Sequence, residues 1–254
     1  MDSRVVVIIP AYNEEDSLSH VIDNVRASVP FADIVVVNDG SVDETASIAR
    51  ARRVILLDLP YNLGIGGAVQ TGYQFAVEQG YDVAVQVDGD GQHPAEEIPK
   101  LLSVLRTGQA DMAIGSRFVS GCSGYQVPFS RLVGIKILSA FILLLSRQRI
   151  TDPTSGFRAV NRNAIRLLAR MYPRDYPEPE VVVLLYRAGH SIAEVPVKMN
   201  QRVGGTSSIT LLGGLFYVVK VLLAIAIDIV KLPAGPKTPS GCVAPAARSE
   251  EEVT

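Results

Sequence analysis

The sequence has few cysteines, no excess of positive charge and no recognisable secretion signal. Its two cysteines, Cys122 and Cys242, lie far apart, which favours reduced thiols in a cytosolic compartment over a disulfide framework. The net charge of −2 and the lack of basic runs interleaved with aromatic residues exclude a general nucleic-acid binder, so no nucleic-acid partner is expected. Residues 4–9 begin an apolar strand pattern without a signal-peptide cleavage site, so we expect the catalytic part to stay in the cytosol.

What the sequence does contain is a regular alternation of strand and helix patterns over its first 115 residues. Short apolar runs ended by turn residues predict buried strands, and apolar residues at helical spacing between them predict helices. Such alternation predicts an α/β fold, a mostly parallel sheet with helices on both faces. The predicted strands cover residues 4–9, 33–37, 53–57, 82–87 and 110–115, and the predicted helices cover residues 14–28, 43–52, 67–78 and 94–107.

The most informative segment is Val83-Ala-Val-Gln-Val-Asp-Gly-Asp-Gly-Gln-His93, in which a run of β-formers ends in two aspartates one residue apart. Alternate residues of a strand point to the same side, so Asp88 and Asp90 leave the strand end together. Two such carboxylates can hold Mg²⁺ or Mn²⁺ and leave coordination positions for the phosphates of a substrate. Gly89 and Gly91 leave room for a bulky ligand. A solvated Asp-Gly turn is the alternative interpretation.

Polar residues also follow the first two predicted strands. Glu14 ends the segment Pro10-Ala-Tyr-Asn-Glu14, and Asp39 follows the second strand. In doubly wound sheets, ligands bind at the carboxyl ends of the strands, and Asp39 suits hydrogen bonding with a base or a ribose. Each side chain alone could cap a helix, but three polar strand ends together favour a ligand site.

A glycine-rich segment, Asn62-Leu-Gly-Ile-Gly-Gly67, suggests dinucleotide binding at first sight. The required spacing is not met, because Val69 occupies the position of the third glycine. We therefore interpret the segment as a tight loop and helix start that line a nucleotide pocket.

Two later segments are strongly apolar. Residues 132–146 predict an amphipathic helix at a membrane interface. Residues 209–231 could cross a bilayer as a helix, but Lys220 near their centre disfavours insertion by roughly 2.5–3.5 kcal/mol. A weakly polar stripe along them favours a helix that lies in the membrane interface or pairs with a partner, such as a small membrane protein. A single span and a buried core helix are the alternatives, and residues 232–254 predict a disordered tail.

Six motifs in order over residues 4–208 resemble those of the family 2 glycosyltransferases of the GT-A fold, and within them the polyprenol-phosphate sugar transferases. The resemblance implies a catalytic domain over residues 1–208. It implies an inverting enzyme that moves a sugar from a nucleotide-diphosphate sugar to a polyprenyl phosphate at the cytoplasmic face of the membrane. The motifs are Pro10-Ala-Tyr-Asn-Glu14, Asn38-Asp-Gly-Ser-Val-Asp43, Asn62-Leu-Gly64, Asp88-Gly-Asp-Gly-Gln-His93, Gly115-Ser-Arg117 and Asp152-Pro-Thr-Ser-Gly-Phe-Arg158.

The resemblance also implies roles for individual residues. Asp88, Asp90 and Gln92 would hold the Mg²⁺ or Mn²⁺ ion and the diphosphate, with Asp90 counted as catalytic. A divalent ion suits this position because it neutralises the charge that develops on a departing diphosphate. The residues implied to contact the nucleotide are Pro10, Ala11, Tyr12, Glu14, Asp39, Gly67, Asp88 and Gly89.

Three arginines, Arg117, Arg131 and Arg202, match positions that face the acceptor phosphate or the donor in the polyprenol-phosphate branch. Each of them could instead be a surface charge or form a salt bridge. A phosphate acceptor is already an anion near neutral pH and needs guanidinium groups more than a general base. A hydroxyl acceptor, on a glycan or a small molecule, would need a base, and Asp152 is the candidate. Both acceptor classes therefore stay open. A catalytically idle nucleotide-sugar-binding subunit is a third hypothesis, which the presence of both aspartates disfavours.

The sequence departs from the family pattern at two places. Asn38 replaces the first aspartate of the usual pair, and Ser207-Ser208 stands where Ser-Lys is common. The segment Tyr176-Pro-Glu-Pro-Glu180 lies on the acceptor side in relatives. Glu178 has no assigned role, and Glu180 would either orient the acceptor or a loop, or pair with an arginine.

Overall fold

A computed structural model gives the fold and describes residues 3–119, 129–174, 177–200 and 220–226. Within these residues one sheet has seven strands in the order β3-β2-β1-β4-β6-β5-β7. All neighbouring pairs are parallel except those that involve β6. The predicted mostly parallel α/β sheet is thus confirmed. The strands are β1 (Val5–Ala11), β2 (Asp33–Asn38), β3 (Ile55–Asp58), β4 (Val83–Gln86), β5 (Met112–Ser116), β6 (Arg158–Asn161) and β7 (Ile192–Pro196).

The helices follow the predicted order up to β5, with shifted ends. The first helix begins at Leu18 and not at residue 14, because a turn precedes it in which the carbonyl of Glu14 accepts the N–H groups of Ser17 and Leu18. The sequence patterns gave no elements between residue 147 and residue 200, where four short ones occur. The helices are α1 (Leu18–Ser28), α2 (Thr45–Ala51), α3 (Gly64–Glu78), a 3₁₀ helix (Ala95–Glu97), α4 (Ile98–Arg106), α5 (Phe129–Ser146), α6 (Arg162–Met171) and α7 (Pro177–Arg187).

The sheet separates two apolar clusters, because successive strand residues point to opposite faces. Val7 and Ile9 of β1 pack on one face against α1, α2 and α4, whereas Val6 and Ile8 pack on the other face against α3, α5, α6 and α7. Each helix contributes an apolar stripe to one of these clusters. The helices therefore cover both faces, and the strand ends remain available for ligands.

Strand β6 is the one that reverses direction, and it inserts between β4 and β5. Arg158 at its start lies opposite Gln86 of β4 and Ile114 of β5. Because β6 runs antiparallel to its neighbours, the loop that precedes it lies at their carboxyl ends. The motif that starts at Asp152 therefore joins the same edge of the sheet as Asp88.

Helix α5 covers the predicted residues 132–146 and is apolar on two sides. Leu138 and Ile142 are buried in the core, whereas Ile137, Leu143 and Leu144 are exposed. Within the described residues, no helix combines the length and the apolar character needed to cross a bilayer.

The predicted helix over residues 209–231 is described only at residues 220–226, which are helical. Val221 and Ile225 belong to the same core cluster as Leu138 of α5. The remainder of that helix and the predicted tail over residues 232–254 lie outside the described residues and stay predictions.

At the opposite edge of the sheet, where the parallel strands begin, Asp111 precedes β5 and connects it to the end of β6 and the start of β7 through hydrogen bonds. One of its carboxylate oxygens accepts the Ser191 N–H at 2.8 Å, and the other accepts from the Asn161 amide at 2.6 Å. Burial on its own would raise the pKa of Asp111, but the hydrogen bonds from Ser191 and Asn161 outweigh it and hold the pKa below its usual range. The carboxylate therefore stabilises the fold in its charged form.

We expect Asp111→Asn to lower the free energy of unfolding by about 1–2 kcal/mol at neutral pH, because one backbone N–H loses a charged acceptor. A depressed folded-state pKa gives stability that is present above the unfolded-state pKa, about 4, and is lost as the pH falls through the folded-state pKa. The difference between wild type and variant, measured by urea unfolding, should shrink below about pH 4. A difference that stays constant from pH 7 to pH 3 would contradict the role of the carboxylate.

Candidate active site

A cleft of about 460 Å³ opens at the carboxyl ends of β1, β2 and β4. The predicted nucleotide and metal residues, except Gly67 and Gln92, converge there from three separate strand ends, as the topology requires. Gly67, in the first turn of α3, is outside the lining, and an added Cβ there would meet the Leu63 side chain at 2.5 Å. The lining residues are Pro10, Ala11, Tyr12, Glu14, Asp39, Asn62, Gly64, Ile65, Ala68, Asp88, Gly89 and Asp90.

Asp39 is fixed between the end of β1 and the start of α3. Its backbone N–H donates to the carbonyl of Ala11 at 2.9 Å, and its Oδ1 accepts the N–H of Leu63 at 2.7 Å. The side chain is buried beside the cleft. Asp39 is thus an immobilised acceptor at the position where the sequence predicted a contact with a base or ribose.

Ser17 is a site residue that the sequence patterns did not single out. Its hydroxyl lies 2.7 Å from the carbonyl of Gly89 and 2.9 Å from Oε2 of Glu14. It stands at the N-cap of α1, where serine is common, yet its side chain makes no capping hydrogen bond. The hydroxyl instead ties the turn between Asp88 and Asp90 to the start of α1.

Asp88 is surrounded by three groups on its own edge of the sheet. Its backbone N–H donates to Nδ1 of His93 at 3.0 Å, and Nε2 of Gln86 lies 3.5 Å from its Oδ1. A Cβ added to Gly156 would lie 3.1 Å from both carboxylate oxygens. Gly156 therefore allows the loop before β6 to approach Asp88, a reason for glycine that the sequence alone could not reveal.

Gln86 in turn forms a hydrogen bond with Tyr172, whose hydroxyl lies 3.3 Å from the amide oxygen Oε1. Burial raises the pKa of Tyr172 well above its usual value, with a further contribution from neighbouring Tyr73. The hydroxyl therefore stays protonated and donates the hydrogen bond. A polar chain leads from Tyr172 through Gln86 to Asp88.

Asp90 and Gln92 form a compact pair in the turn after β4. The backbone N–H of Gln92 donates to one oxygen of Asp90 at 3.0 Å, and its side-chain amide donates to the other at 2.6 Å. In the described residues, no group of three or more histidine, cysteine, aspartate or glutamate side chains is arranged to hold a metal. The available donors are the oxygens of Asp88, Asp90 and Gln92. Such a set fits Mg²⁺ or Mn²⁺ completed by substrate phosphates.

Arg117 and Asp152 form a buried, bidentate ion pair at the same edge of the sheet as Asp88. Nε of Arg117 lies 2.7 Å from one oxygen of Asp152 and a terminal nitrogen lies 2.7 Å from the other. Asp152 is 0% exposed and Arg117 is 7% exposed. Paired guanidinium and carboxylate groups of this geometry are strong and orient each other. The two residues that the sequence assigned separately, as phosphate ligand and as base, therefore act on each other.

The other predicted arginines are only partly located. Arg131 lies in the first turn of α5, with its side chain outside the described part of the chain, and Arg202 lies outside the described residues altogether. A fourth arginine, Arg158, is buried and donates to the carbonyls of Pro153 and Glu178 at 3.0 and 2.6 Å. It thereby joins the loop before β6 to α7, whose first turn also contains buried Glu180.

The departure from the family pattern at Asn38 has a local explanation. Its amide Nδ2 donates to Oδ1 of Asp58 on β3 at 2.7 Å, and Asp58 is also paired with Arg50. An aspartate at position 38 would place two carboxylates at this distance, which is destabilising. Asn38 is therefore matched to the acid at the end of the neighbouring strand.

Comparison with known proteins identifies the family of this chain. The model of the family described as Glycosyl transferase family 2 matches residues 6–168. The chain belongs to this family. It is therefore a glycosyltransferase, as predicted. The undecaprenyl-phosphate mannosyltransferase of Micrococcus luteus is 35% identical to it over 215 residues, which cover 82% of this chain and 88% of that protein. The polyprenol monophosphomannose synthase of Mycolicibacterium smegmatis is 33% identical over 216 residues, 82% of this chain and 81% of that protein.

Solved structures show the same fold. The glucosyl-3-phosphoglycerate synthase of Mycobacterium tuberculosis, in a complex with Mn²⁺, UDP and glucosyl-3-phosphoglycerate, superposes with a TM-score of 0.65 and 20% identity, covering 91% of this chain and 81% of that one. At this identity the likeness concerns the architecture, and it supports a GT-A-like arrangement of sheet and helices for the family 2 chain described here.

We expect Asp152→Asn to lower the free energy of unfolding of this glycosyltransferase by about 3–5 kcal/mol, because it leaves the buried Arg117 cation without its charged partner. Chemical unfolding followed by circular dichroism measures the loss. An activity loss in this variant would therefore not by itself identify a general base. Wild-type stability would show that the ion pair contributes nothing to the fold.

Proposed function

We propose that this glycosyltransferase moves one sugar, with inversion at the anomeric carbon, from a nucleotide-diphosphate sugar to a polyprenyl phosphate at the cytoplasmic face of a membrane. The convergence of Asp39, Asp88 and Asp90 on one cleft carries the proposal. The relatives from Micrococcus luteus and Mycolicibacterium smegmatis are named an undecaprenyl-phosphate mannosyltransferase and a polyprenol monophosphomannose synthase. These names support a polyprenyl phosphate as the acceptor.

The donor would occupy the cleft with its nucleoside against β1 and β2. Asp39 would accept hydrogen bonds from the base or ribose, and the segment from Pro10 to Tyr12 would line one wall. A volume of about 460 Å³ lies in the range of ordinary ligand pockets. Gly64 and Gly89, which line the cleft, have no side chains that would compete with the diphosphate for space.

A divalent cation, Mg²⁺ or Mn²⁺, would be held by Asp88, Asp90 and Gln92 together with the donor diphosphate. The ion, when bound, supplies positive charge to the departing nucleoside diphosphate. In this chain, Gln86 and His93 position Asp88, and Gln92 positions Asp90. These hydrogen bonds come from the protein's own groups, which favours a preorganised site.

The acceptor would be a phosphate monoester, whose oxygen attacks the anomeric carbon as the bond to the diphosphate oxygen breaks. Such a phosphate is ionised near neutral pH, so no proton has to be removed from it. Asp152 has both oxygens turned to Arg117 and no solvent exposure. These contacts support an orienting role for Asp152 and give the alternative, a hydroxyl acceptor with Asp152 as base, no further support. Arg117, with Arg131 and Arg202, would bind the acceptor phosphate.

The membrane surface would be met by the exposed apolar side of α5. Ile137 is 43% exposed, Leu143 is 45% exposed and Leu144 is 76% exposed, on a helix that contributes Leu138 and Ile142 to the core. Leu223, in the helical segment 220–226, is 58% exposed. Exposed apolar side chains of this size are typical of helices that lie in the membrane interface. The proposal also includes a helix over residues 209–231 that associates with the membrane, either alone or paired with a small membrane protein.

We expect Asp90→Asn to lower turnover by at least about 100-fold while the fold is retained, because the metal and diphosphate lose a charged ligand. The assay measures transfer of radiolabelled sugar from a panel of UDP- and GDP-sugars to undecaprenyl phosphate in detergent with Mg²⁺ or Mn²⁺. Asp82→Asn, at the other end of β4, is the matched control and should retain activity. Near-normal turnover of Asp90→Asn would refute the metal role, and label that never enters the lipid would refute the acceptor.

We expect Leu144→Glu to reduce binding to vesicles of anionic phospholipid several-fold, because a carboxylate replaces an exposed apolar side chain on the proposed membrane face. Co-sedimentation with vesicles measures the bound fraction. Val77→Glu introduces the same group at an exposed position of α3, where Val77 is 41% exposed, and should bind like wild type. Equal binding of all three proteins would show that α5 does not meet the membrane.

A further inference from the structure

Glu194 of β7 is a largely buried carboxylate outside the cleft and outside the motifs of the family resemblance. One of its oxygens, Oε1, accepts the backbone N–H of Asp152 at 2.8 Å, and the other, Oε2, accepts the N–H of Thr151 at 2.8 Å. The Thr151 hydroxyl lies 3.0 Å from both oxygens. A single side chain therefore fixes two consecutive peptide groups of the loop before β6.

These two peptide groups connect Glu194 to the ion pair. Asp152, held through its backbone by Glu194, holds the Arg117 side chain through its own carboxylate at 2.7 Å. The Thr151 hydroxyl lies 2.9 Å from that of Ser116, the residue before Arg117. Since β7 is parallel to β5 and Glu194 lies opposite Ile114, the carboxylate sits directly beside the strand end that carries Arg117.

The geometry needs a carboxylate and would not be satisfied by an amide of the same size. Two backbone N–H groups require two acceptor oxygens, and an amide offers one oxygen and one donor nitrogen. Burial raises the pKa of Glu194, although the hydrogen bonds from Thr151 and Asp152 oppose the shift. An acid is thus kept at a place where burial disfavours its charge, which is more often found at functional sites than elsewhere.

We infer that Glu194 is a positioning residue, which fixes the Thr151–Asp152 backbone so that Asp152 holds the Arg117 guanidinium in the orientation that binds the acceptor phosphate. The inference rests on the proposed function, in which Arg117 meets that phosphate. Glu194 is not among the residues that line the donor cleft, so its effect should concern the acceptor and leave the donor cleft unchanged.

The test uses Glu194→Gln in the full-length chain. We expect the KM for undecaprenyl phosphate to rise roughly 10-fold or more, because a misplaced binding group weakens acceptor contacts, while the KM for the donor stays within about twofold of wild type. In protein labelled with ¹⁵N-arginine, the Arg117 Nε–H signal, assigned by its loss in Arg117→Lys, should exchange with solvent roughly 10-fold faster than in wild type.

Asp111→Asn is the matched control. Asp111 also accepts a backbone N–H, that of Ser191 at 2.8 Å, but at the amino-terminal edge of the same three strands. Both variants should lose stability, yet only Glu194→Gln should change the acceptor KM and the exchange of Arg117. This separates positioning from a general loss of stability.

Two results would overturn the inference: an unchanged Arg117 signal and acceptor KM in Glu194→Gln, or equal changes in Asp111→Asn. Absence of lipid transfer by the wild-type protein would refute the proposed function alone, and the Arg117 exchange rate would then decide whether Glu194 positions that side chain. If Glu194→Gln does not fold, Glu194→Asp keeps both acceptor oxygens on a shorter side chain, and we expect it to change both readouts in the same direction.

Discussion

The buried ion pair between Arg117 and Asp152 is the interaction on which the part of the molecule proposed to bind the acceptor depends. A guanidinium removed from water is tolerated only when a carboxylate and further hydrogen bonds meet it. Asp152 provides the charge, and Thr154 lies 3.2 Å from the same terminal nitrogen. To bring these partners together, the chain must insert β6 between β4 and β5 and return along β7, which adds the support of Glu194.

The donor half is built differently. Its residues lie at the ends of β1, β2 and β4, which are parallel and whose carboxyl ends meet without any special arrangement. Backbone contacts fix Asp39 between Ala11 and Leu63, and Ser17 ties the turn at Gly89 to α1. The proposed donor site is therefore a direct consequence of the strand order, whereas the proposed acceptor site requires a reversal of the chain.

The elements proposed to meet the membrane share an apolar core with the edge of the sheet that carries the candidate site. Leu138 of α5, Val182 of α7 and Val221 of the segment 220–226 belong to one apolar cluster, together with Ile114 of β5. Arg158 adds a polar connection from the loop before β6 to the first turn of α7. Through these contacts, the helix proposed to meet the lipid surface and the strand that precedes Arg117 belong to one packed core, which suits an acceptor whose phosphate lies at that surface.

The sequence by itself determined the parallel part of the sheet and the residues of the proposed donor site. Apolar runs and helical spacing specify β1 to β5, and polar residues at three strand ends must meet once those strands are parallel. It did not reveal β6, α6, α7 or β7, although α6 and α7 are longer than α2 and α4. The two strands pair with β4 and β5, which lie far away along the chain. Only the tertiary structure decided that Arg117 and Asp152 face each other and that Gly156 makes room for Asp88. It also decided that Glu194 fixes the backbone of the loop before β6. Those facts arise from contacts across 35 or more residues, such as the 42 between Asp152 and Glu194, and no local pattern encodes them.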